Sequence, residues 1–189
     1  MADVEPCVVL VDECDREVGV DERLRAHCDG GKLHRAFSVF IFNDRGELLL
    51  QRRAMNKPLF AGRWSNTCCS HPGSGADIAV EARRRLAFEM GIDAPLRDVL
   101  TFTYRATDAA SNLTEHELDH VLVGVCNDDP APRPEEVDDW RWVSIDRLQA
   151  EIAADADSFS PWMPIALRRL IETPNGPCRA RPNPVAEPT

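Results

Sequence analysis

The sequence lacks a long apolar segment and is poor in positive charge. No stretch reaches the roughly 18 apolar residues that a membrane-spanning helix requires. The 189 residues include 22 lysines and arginines against 32 acidic residues, which gives a formal charge of −10. This excess disfavours a protein that binds nucleic acid or an anionic membrane, because both require a broad positive surface. Any anionic ligand must therefore be held by a local cluster of cations or by metal ions.

The cysteines lack the spacing of a zinc site or of a disulfide framework. The seven cysteines include no CxxC pair, and the amino-terminal residues do not have the basic and apolar regions of a signal peptide. An odd number of cysteines without such a signal is typical of reduced thiols. We therefore expect a cytoplasmic protein in which most cysteines act as small apolar packing residues.

Strand and helix patterns follow one another without a regular βαβ alternation. We expect strands at 7–13, 15–19, 37–42, 47–51, 64–69, 97–105, 118–126 and 140–143, with a hairpin turn at 43–46 and a long polar loop after 105. Helical patterns cover 76–90, 144–154 and 161–172. This order predicts an α+β fold in one domain over residues 1–173. Five prolines follow, and they predict a disordered tail at 174–189.

Three of the five histidines lie near other potential metal ligands. His27 and His34 are seven residues apart, and His71 follows a pair of cysteines. Glu115 and Glu117 alternate at the predicted mouth of a strand, so their carboxylates face one side. Such a set would suit Mn, Zn, Fe or Mg. A single histidine is more often a surface or hydrogen-bonded core residue, and the spacing alone leaves both interpretations open.

Two groups of cations are candidates for a phosphate site. The 76–90 helix carries three successive arginines, 83–85, which spread over most of a turn, so at least one should point toward the domain. A second group comprises Arg52, Arg53 and Lys57. Arginine and lysine both bind phosphate. In a chain of negative charge these groups favour a confined phosphate site, and a solvated basic surface is the alternative.

Cysteine and tyrosine side chains could take part in proton transfer. Cys69 lies close to His71, and a thiol near an imidazole can act as a nucleophile or as an acid and base. Its neighbour Cys68 should face the other side of the strand and pack in the core. Tyr104 is the only tyrosine, and it either packs or orients a carboxylate.

The two remaining histidines and three of the tryptophans are not candidates for metal ligands or catalytic residues. His116 should face away from its glutamate neighbours, whereas His120 is expected to pack or to form a hydrogen bond near the metal. Three tryptophans are expected to be core residues, namely Trp64, Trp140 and Trp142.

Six segments together resemble the type 1 isopentenyl-diphosphate isomerase family, which has a Nudix-like fold. They are AHCDGGKLHRAFS, LLLQRRAMNKPLFAGRWSNTCCSHP, EARRRLAFEMGI, FTYRATD, TEHE and FSPWM, in that order between about residues 5 and 172. The resemblance implies an α/β/α sandwich with mixed and antiparallel sheets. It also implies that isopentenyl diphosphate is converted to dimethylallyl diphosphate through a tertiary carbocation, in isoprenoid biosynthesis.

The resemblance further implies a role for each matching residue. A divalent metal, Mn²⁺, Mg²⁺ or Zn²⁺, would be bound by His27, His34, His71, Glu115 and Glu117. Glu89 and the backbone carbonyl of Cys69 would bind a second Mg²⁺ that arrives with the diphosphate. Cys69 and Glu117, the latter assisted by Tyr104, would be the catalytic acid and base. The substrate would contact Arg23, which replaces a family lysine, and Arg53, Lys57, Arg85 and Trp162.

The Nudix signature is degenerate in this chain. Arg85 and Phe88 stand where the hydrolases carry metal-binding glutamates, and only Glu89 remains. This disfavours a Nudix-type diphosphate hydrolase, which needs carboxylates to hold its magnesium ions. A non-enzymatic module stabilised by zinc is a third hypothesis. The expected partner is a small isoprenoid diphosphate, with no nucleic acid or membrane partner, and the chain is expected to be a monomer.

Overall fold

The structure, a computed structural model, describes residues 7–173, and the predicted tail at 174–189 lies outside the described residues. The strands of this part are β1 (Cys7–Val11), β2 (Glu17–Glu22), β3 (His34–Phe42), β4 (Leu48–Arg53), β5 (Trp64–Ser65), β6 (Cys68–Ser70), β7 (Arg97–Thr107), β8 (Thr114–Val125) and β9 (Val137–Val143). The helices are α1 (Arg23–Ala26), α2 (Ile78–Met90), α3 (Ile145–Ala154) and α4 (Trp162–Glu172). A 3₁₀ turn at Ala156–Ser158 precedes α4.

The central strand of the fold is β3, all of whose residues are buried. It pairs in parallel with β8 from His34↔Glu117 to Phe42↔Val125, and β8 pairs antiparallel with β7. A strand covered on both faces is expected to be almost entirely apolar, which accounts for the FSVFIF run. The parallel register places the first residue of β3 beside the glutamates of β8.

The predicted hairpin at 37–42 and 47–51 has the expected turn but not the expected ladder. Within the described residues, β3 and β4 are in register at Phe42↔Leu48, and then they separate. Beyond that point β3 pairs with β6 and β8, whereas β4 pairs with β5 and β9. Turn residues determine a reversal of the chain locally, but the strand partners depend on contacts far along the sequence.

The predicted strand at 64–69 is two short strands, because two side chains interrupt it. Thr67 accepts a hydrogen bond from the amide of Ile41 and donates one to the carbonyl of Leu49. Asn66 donates to the carbonyl of Val39. These two side chains link the separated strands β3 and β4, where backbone pairing has ended.

Helices cover both faces of the strands and form the predicted α/β/α sandwich. Leu86 and Met90 of α2 pack with Phe37 on one face, and Leu148 and Leu170 of α3 and α4 belong to the core of the other. The predicted helix at 76–90 begins two residues later, after the N-cap Asp77, and ends at Gly91, whose φ of 68° is the left-handed conformation that glycine adopts most readily.

The long polar loop predicted after residue 105 is much shorter in the structure. The strands continue to Thr107 and restart at Thr114, so that only 108–113 connect them. The segment TEHE at 114–117, predicted as part of the loop, is the start of β8. Both faces of the strand carry polar residues there, so the sequence shows no apolar alternation. Glu115 and Glu117 therefore lie within β8 and not beyond its end.

The three tryptophans expected in the core, Trp64, Trp140 and Trp142, are only half-buried. Trp64 carries the guanidinium groups of Arg52 and Arg141 over its ring, at 6.0 and 4.6 Å from the centroid. Between residues 7 and 173, no helix has the length and apolar character needed to span a membrane.

Candidate active site

Three histidines and two glutamates from separate segments meet at one point. His27 follows α1, His34 begins β3 and His71 follows β6, while Glu115 and Glu117 lie on one face of β8. One potential ligand atom from each lies within 4.8 Å of those of the others, and four of the five residues are buried. The structure thus brings together the five residues that the resemblance names.

Backbone carbonyls fix the orientation of two of the imidazole rings. The Nδ1–H of His27 donates to the carbonyl of Arg23 at 2.6 Å, and that of His34 donates to the carbonyl of Lys32 at 2.8 Å. With Nδ1 bonded to the backbone, Nε2 of each ring faces the cluster. Three imidazoles and two carboxylates in this arrangement fit a divalent metal ion.

The two glutamates of the cluster have opposite pKa shifts. Burial opposes ionisation of Glu117, but hydrogen bonds from His34 and His71 outweigh burial and hold its pKa well below the ordinary range. Burial and the neighbouring Glu117 charge raise the pKa of Glu115. Burial also lowers the pKa of His71 to about 4. Burial lowers the pKa of His27, but the hydrogen bond and charge of Glu115 outweigh burial and raise it. Metal binding requires deprotonated ligands, so it would displace the protons that His27 and Glu115 hold more readily here.

Tyr104 is placed by strand pairing against the second glutamate. The β7–β8 register sets Tyr104 opposite Glu117, and its hydroxyl donates to Oε2 of that carboxylate at 2.5 Å. Burial raises the pKa of Tyr104 well above its usual value, so the phenol stays protonated and remains a donor. The other carboxylate oxygen, Oε1, lies 3.0 Å from Nε2 of His71.

The two adjacent cysteines face opposite sides of β6. Cys68 is fully buried in the core beneath α2, whereas Cys69 lines a cavity. Burial and the nearby Asp119 raise the pKa of Cys69 to about 12. Its Sγ donates to Oδ1 of Asn66 at 3.1 Å and lies 3.6 Å from the hydroxyl of Ser38. The alternation predicted for these two residues is therefore observed.

A cavity of about 540 Å³ contains most of the predicted residues. Its wall includes the acid, base and metal candidates His27, His71, Glu115, Glu117, Cys69 and Tyr104. It also includes the substrate candidates Arg23, Arg53, Lys57, Arg85 and Trp162. The described part of this wall does not include His34, which is fully buried, or Glu89.

Glu89 is buried in α2 and is held by two neighbours. The guanidinium of Arg85 donates to it at 2.6 Å, and the amide of Gln51 donates at 3.4 Å. Of the three successive arginines of α2, the described wall of the cavity includes Arg85, while Arg83 and Arg84 pair with carboxylates at the exposed surface. One arginine of the three thus points toward the domain.

The chain is similar to known proteins over most of its length. A profile of the NUDIX domain matches residues 32–163. The isopentenyl-diphosphate Delta-isomerase of Halorhodospira halophila is 48% identical over 166 residues, which cover 87% of this chain and 93% of that protein. The enzyme of the same name from Nocardia farcinica is 47% identical over 82% of this chain and 89% of its own.

The chain belongs to the isopentenyl-diphosphate Delta-isomerase family. Solved structures at lower identity show the fold that this family shares with other Nudix proteins. DR0079 from Deinococcus radiodurans superposes with a TM-score of 0.71 at 22% identity, over 87% of this chain and 98% of its own. A MutT protein from Methanosarcina mazei superposes with a TM-score of 0.60 at 19% identity, over 72% of this chain and 91% of its own.

Helix α2 carries the degenerate Nudix signature of this chain. Phe88, at a position where the hydrolases carry a glutamate, lies between the guanidinium groups of Arg85 and Arg133, at 5.1 and 4.2 Å from its ring centroid. The helix therefore presents an aromatic ring and an arginine in place of two carboxylates.

Three polar residues beside the site were not predicted. Glu136 accepts hydrogen bonds from Lys57 and from Arg85 and so joins two of the cavity cations. Asp119 is fully buried behind Ser38, which donates to it at 2.8 Å. The alternation from Glu115 through Glu117 could have revealed Asp119, whereas no local pattern identifies Glu136. Asn66 is the third, and its amide oxygen accepts hydrogen bonds from Cys69 and Trp162.

The two histidines outside the cluster, His116 and His120, lie in β8, and the alternation of side chains along that strand determines which face each occupies. His116 faces away, as expected, and bonds to the carbonyl of Gly31 at 3.2 Å. The expectation that His120 lies near the metal is wrong. Its ring bonds to Asp98 at 2.7 Å and to Asp15 at 3.0 Å on the opposite face, because residues at odd spacing from Glu117 point to the other side of the strand.

Proposed function

We propose that this chain converts isopentenyl diphosphate to dimethylallyl diphosphate. The observation that carries the proposal is one cavity that holds both a cation set and two proton-transfer groups. Cys69 and the Tyr104-bound carboxylate of Glu117 line it together with Trp162. The family relatives that share most of the chain bear the name of this activity.

The diphosphate is held by Arg23, Arg53, Lys57 and Arg85, all of which line the cavity. The cavity wall also carries five glutamates, so these four cations together with the bound metal ions would make the site attractive to an anion in a chain whose formal charge is −10. The diphosphate takes no part in the proton transfers, and its binding energy positions the hydrocarbon end of the substrate. In this structure Glu136 already accepts hydrogen bonds from Lys57 and Arg85, so the substrate meets cations that are grouped in advance.

Two proton transfers move the double bond. A proton added to the terminal alkene carbon leaves the positive charge on the tertiary carbon. Loss of a proton from the adjacent CH₂ then forms the new double bond, so one proton enters and one leaves. Cys69 and Glu117 are the two groups that exchange these protons, with Tyr104 holding the carboxylate in place.

The cationic intermediate requires a stabiliser that does not react with it. The indole of Trp162 is 3% exposed, and the rings of Phe60 and Tyr104 lie 5.6 and 5.9 Å from it. An aromatic face attracts a cation by about 2 kcal/mol or more when water is excluded. Arg53 lies 5.4 Å from the indole centroid, which shows that this ring already accepts a positive neighbour.

The metal sites are the part of the proposal that depends on groups outside the chain. His27, His34, His71, Glu115 and Glu117 would hold Mn²⁺, Mg²⁺ or Zn²⁺, which as a bound divalent cation would tune the acidity of Glu117. We propose that Glu89 and the backbone carbonyl of Cys69 hold a second Mg²⁺ together with the diphosphate. Arg85 bonds to Oε1 of Glu89 in this structure, so the second Mg²⁺ would share this carboxylate with Arg85 or displace it.

We test the function by incubating the protein with isopentenyl diphosphate and Mg²⁺ or Mn²⁺ in D₂O. Proton and deuterium NMR should show dimethylallyl diphosphate with deuterium at the exchanged carbon atoms. Release of phosphate without the isomer would instead favour the diphosphate hydrolase. Neither product, with unfolding after chelation, would favour the zinc-stabilised module.

We further propose a monomeric, cytoplasmic enzyme whose partner is the small diphosphate and not nucleic acid or membrane, formed by one domain at 1–173. The acidic net charge supports the exclusion of nucleic acid. Light scattering after size-exclusion chromatography should give a mass near 21.1 kDa, and a mass of twice that value would contradict the monomer.

A further inference from the structure

Asn66 forms a buried hydrogen-bonded centre between β5 and β6. It is fully buried, and its Nδ2 donates to the carbonyls of Val39 at 3.1 Å and Cys68 at 2.9 Å. Its Oδ1 accepts from the indole Nε1–H of Trp162 at 3.0 Å and from the thiol of Cys69 at 3.1 Å. One amide oxygen thus contacts both a proposed proton-transfer group and the proposed cation stabiliser.

The chemistry of its neighbours determines how the Asn66 amide is oriented. Backbone carbonyls only accept hydrogen bonds, and an indole N–H only donates. Two carbonyls on one side and the Trp162 indole on the other therefore allow one orientation of the amide. The oxygen must face the cavity groups, and it cannot exchange places with the nitrogen without losing these bonds.

We propose that Asn66 is a positioning residue that sets the thiol of Cys69 and the indole of Trp162 at a fixed separation around the reacting carbon atoms. The inference rests on the proposed isomerase function, since it assigns these two groups to proton transfer and cation stabilisation. A thiol that protonates carbon and a ring that faces the cation must both be correctly placed, and a displacement of about 1 Å can cost roughly 100-fold in rate.

The segments that Asn66 joins are remote in sequence. Trp162 begins α4, 96 residues after Asn66, and Cys69 lies in β6. A second contact supports the same junction, because the hydroxyls of Ser65 and Ser160 lie 2.8 Å apart. The hydroxyl of Ser65 also donates to Oδ1 of Asn66 at 3.0 Å. The serine pair and Asn66 therefore form one hydrogen-bonded network, in which Asn66 is the member that contacts both cavity groups.

The test compares two substitutions of Asn66 with a matched change at the next residue. Asn66→Ala removes the acceptor oxygen. Asn66→Asp keeps that oxygen and, as the neutral acid that burial favours, can donate its hydroxyl to one of the two backbone carbonyls. Thr67→Val is the control: Thr67 is also fully buried and forms two hydrogen bonds to backbone, and neither reaches the cavity. Urea unfolding measures the stability of each variant, so that a loss of fold is separated from a loss of position.

The kinetic readout is the division between kcat and KM for isopentenyl diphosphate. We expect Asn66→Ala to lower kcat by about 100-fold and to change KM by less than about threefold, because the cations that bind the diphosphate are untouched. Asn66→Asp should retain at least about ten times the kcat of the alanine variant. Thr67→Val should keep kcat within about threefold of the original chain.

The structural readout does not depend on activity. Four indole N–H signals are expected from the four tryptophans, and Trp162→Phe assigns one of them in a ¹H–¹⁵N spectrum. Asn66→Ala should move that signal upfield, since the hydrogen bond is lost, while Thr67→Val should leave it in place. If Asn66→Ala does not fold, Asn66→Ser replaces it with the same expectations.

Distinct results would overturn the two proposals. Equal kcat losses in Asn66→Ala and Thr67→Val, or an unmoved Trp162 signal, would eliminate the positioning role. A parallel rise in KM would also contradict it, because the diphosphate site would then have been disturbed. If the original chain forms no dimethylallyl diphosphate, the proposed function fails, and with it the catalytic part of this inference, while the indole signal still tests the contact itself.

Discussion

On one face of β8, Glu115 and Glu117 are buried and point at three histidines, whereas His116 and His120 on the other face bond to a loop carbonyl and to two surface carboxylates. Both faces therefore carry groups that could bind a metal. The first face belongs to the side of the sheet that contains the cavity and α4, and the second faces α2 and the β1–β2 hairpin.

The two faces of β8 differ in the burial and the hydrogen-bond partners of their side chains, and not in the types of residue. Glu117 meets the Tyr104 hydroxyl and two imidazoles in a buried place, so its charge is stabilised without water. His120 meets Asp15 and Asp98, which remain partly exposed. The same difference occurs on β6, where Cys69 reaches the cavity and Cys68 packs in the core.

The largest expected difference between the faces is in catalysis. Glu117→Gln should reduce kcat by about 10⁴-fold, the upper range for a lost acid or base, because the amide cannot exchange the proton. His116→Gln, one residue away on the other face, should keep kcat within about twofold. Steady-state assays with isopentenyl diphosphate measure both. Equal losses of kcat in the two variants would show that substitution on either face of β8 impairs catalysis, and would contradict the difference between the faces.

The cysteine pair offers a second comparison of faces. Cys69→Ala should lower kcat by about 10³-fold with the fold retained, since a proton donor or acceptor is lost. Cys68→Ala should lose about 1 kcal/mol of unfolding free energy from the core and keep its activity. Urea unfolding and the same assay distinguish these effects. Activity in Cys69→Ala near that of the original chain would exclude the thiol from the reaction.

Removal of the hydrogen bond from Tyr104 to Glu117 tests how much catalysis depends on the phenol donor. Tyr104→Phe keeps the ring in the core and removes the hydroxyl that donates to Oε2. A lost hydrogen bond to a charged group is worth about 1.5–3 kcal/mol, so kcat should fall by roughly 10- to 150-fold. Stability should change little, because the aromatic packing remains. An unaltered kcat would leave the phenol with a packing role alone.

The smallest expected effect is a pH-dependent change in the free energy of unfolding, and it concerns His120 on the face of β8 opposite to Glu117. Burial lowers the pKa of His120, but the bonds and charges of Asp98 and Asp15 outweigh burial and raise the pKa. Protonated His120 therefore stabilises the folded state. This contribution is fully present below the unfolded-state pKa of about 6.5 and is lost as the pH rises through the folded-state pKa.

His120→Gln should accordingly destabilise the protein by about 1 kcal/mol at pH 6 and by less at pH 9. Urea unfolding at the two pH values measures this difference. Arg35 still pairs with Asp15 in the variant, so the carboxylate keeps one partner. A deficit that grows with pH would mean that neutral His120, and not its cation, stabilises this surface.

Much of the local structure could be predicted from sequence because the signals were local. The periodicity of α2 with Gly91 after it, the turn between β3 and β4, and the opposite orientations of Cys68 and Cys69 all follow from short-range geometry. The resemblance to the isomerase family named the five residues that now form the cluster. The extent of β7 and β8 was missed because a strand with polar residues on both faces does not have an apolar period.

The sequence by itself determined which chemical groups are available, namely a single tyrosine, a pair of cysteines and an alternating run of acids and histidines in an acidic chain. Only the tertiary structure decided which of them meet. The parallel pairing of β3 with β8 brings His34 beside Glu117, and the start of α4 brings Trp162 to Asn66. Such contacts join residues 83 to 96 positions apart, and no local preference encodes them, because they form only when the whole core packs.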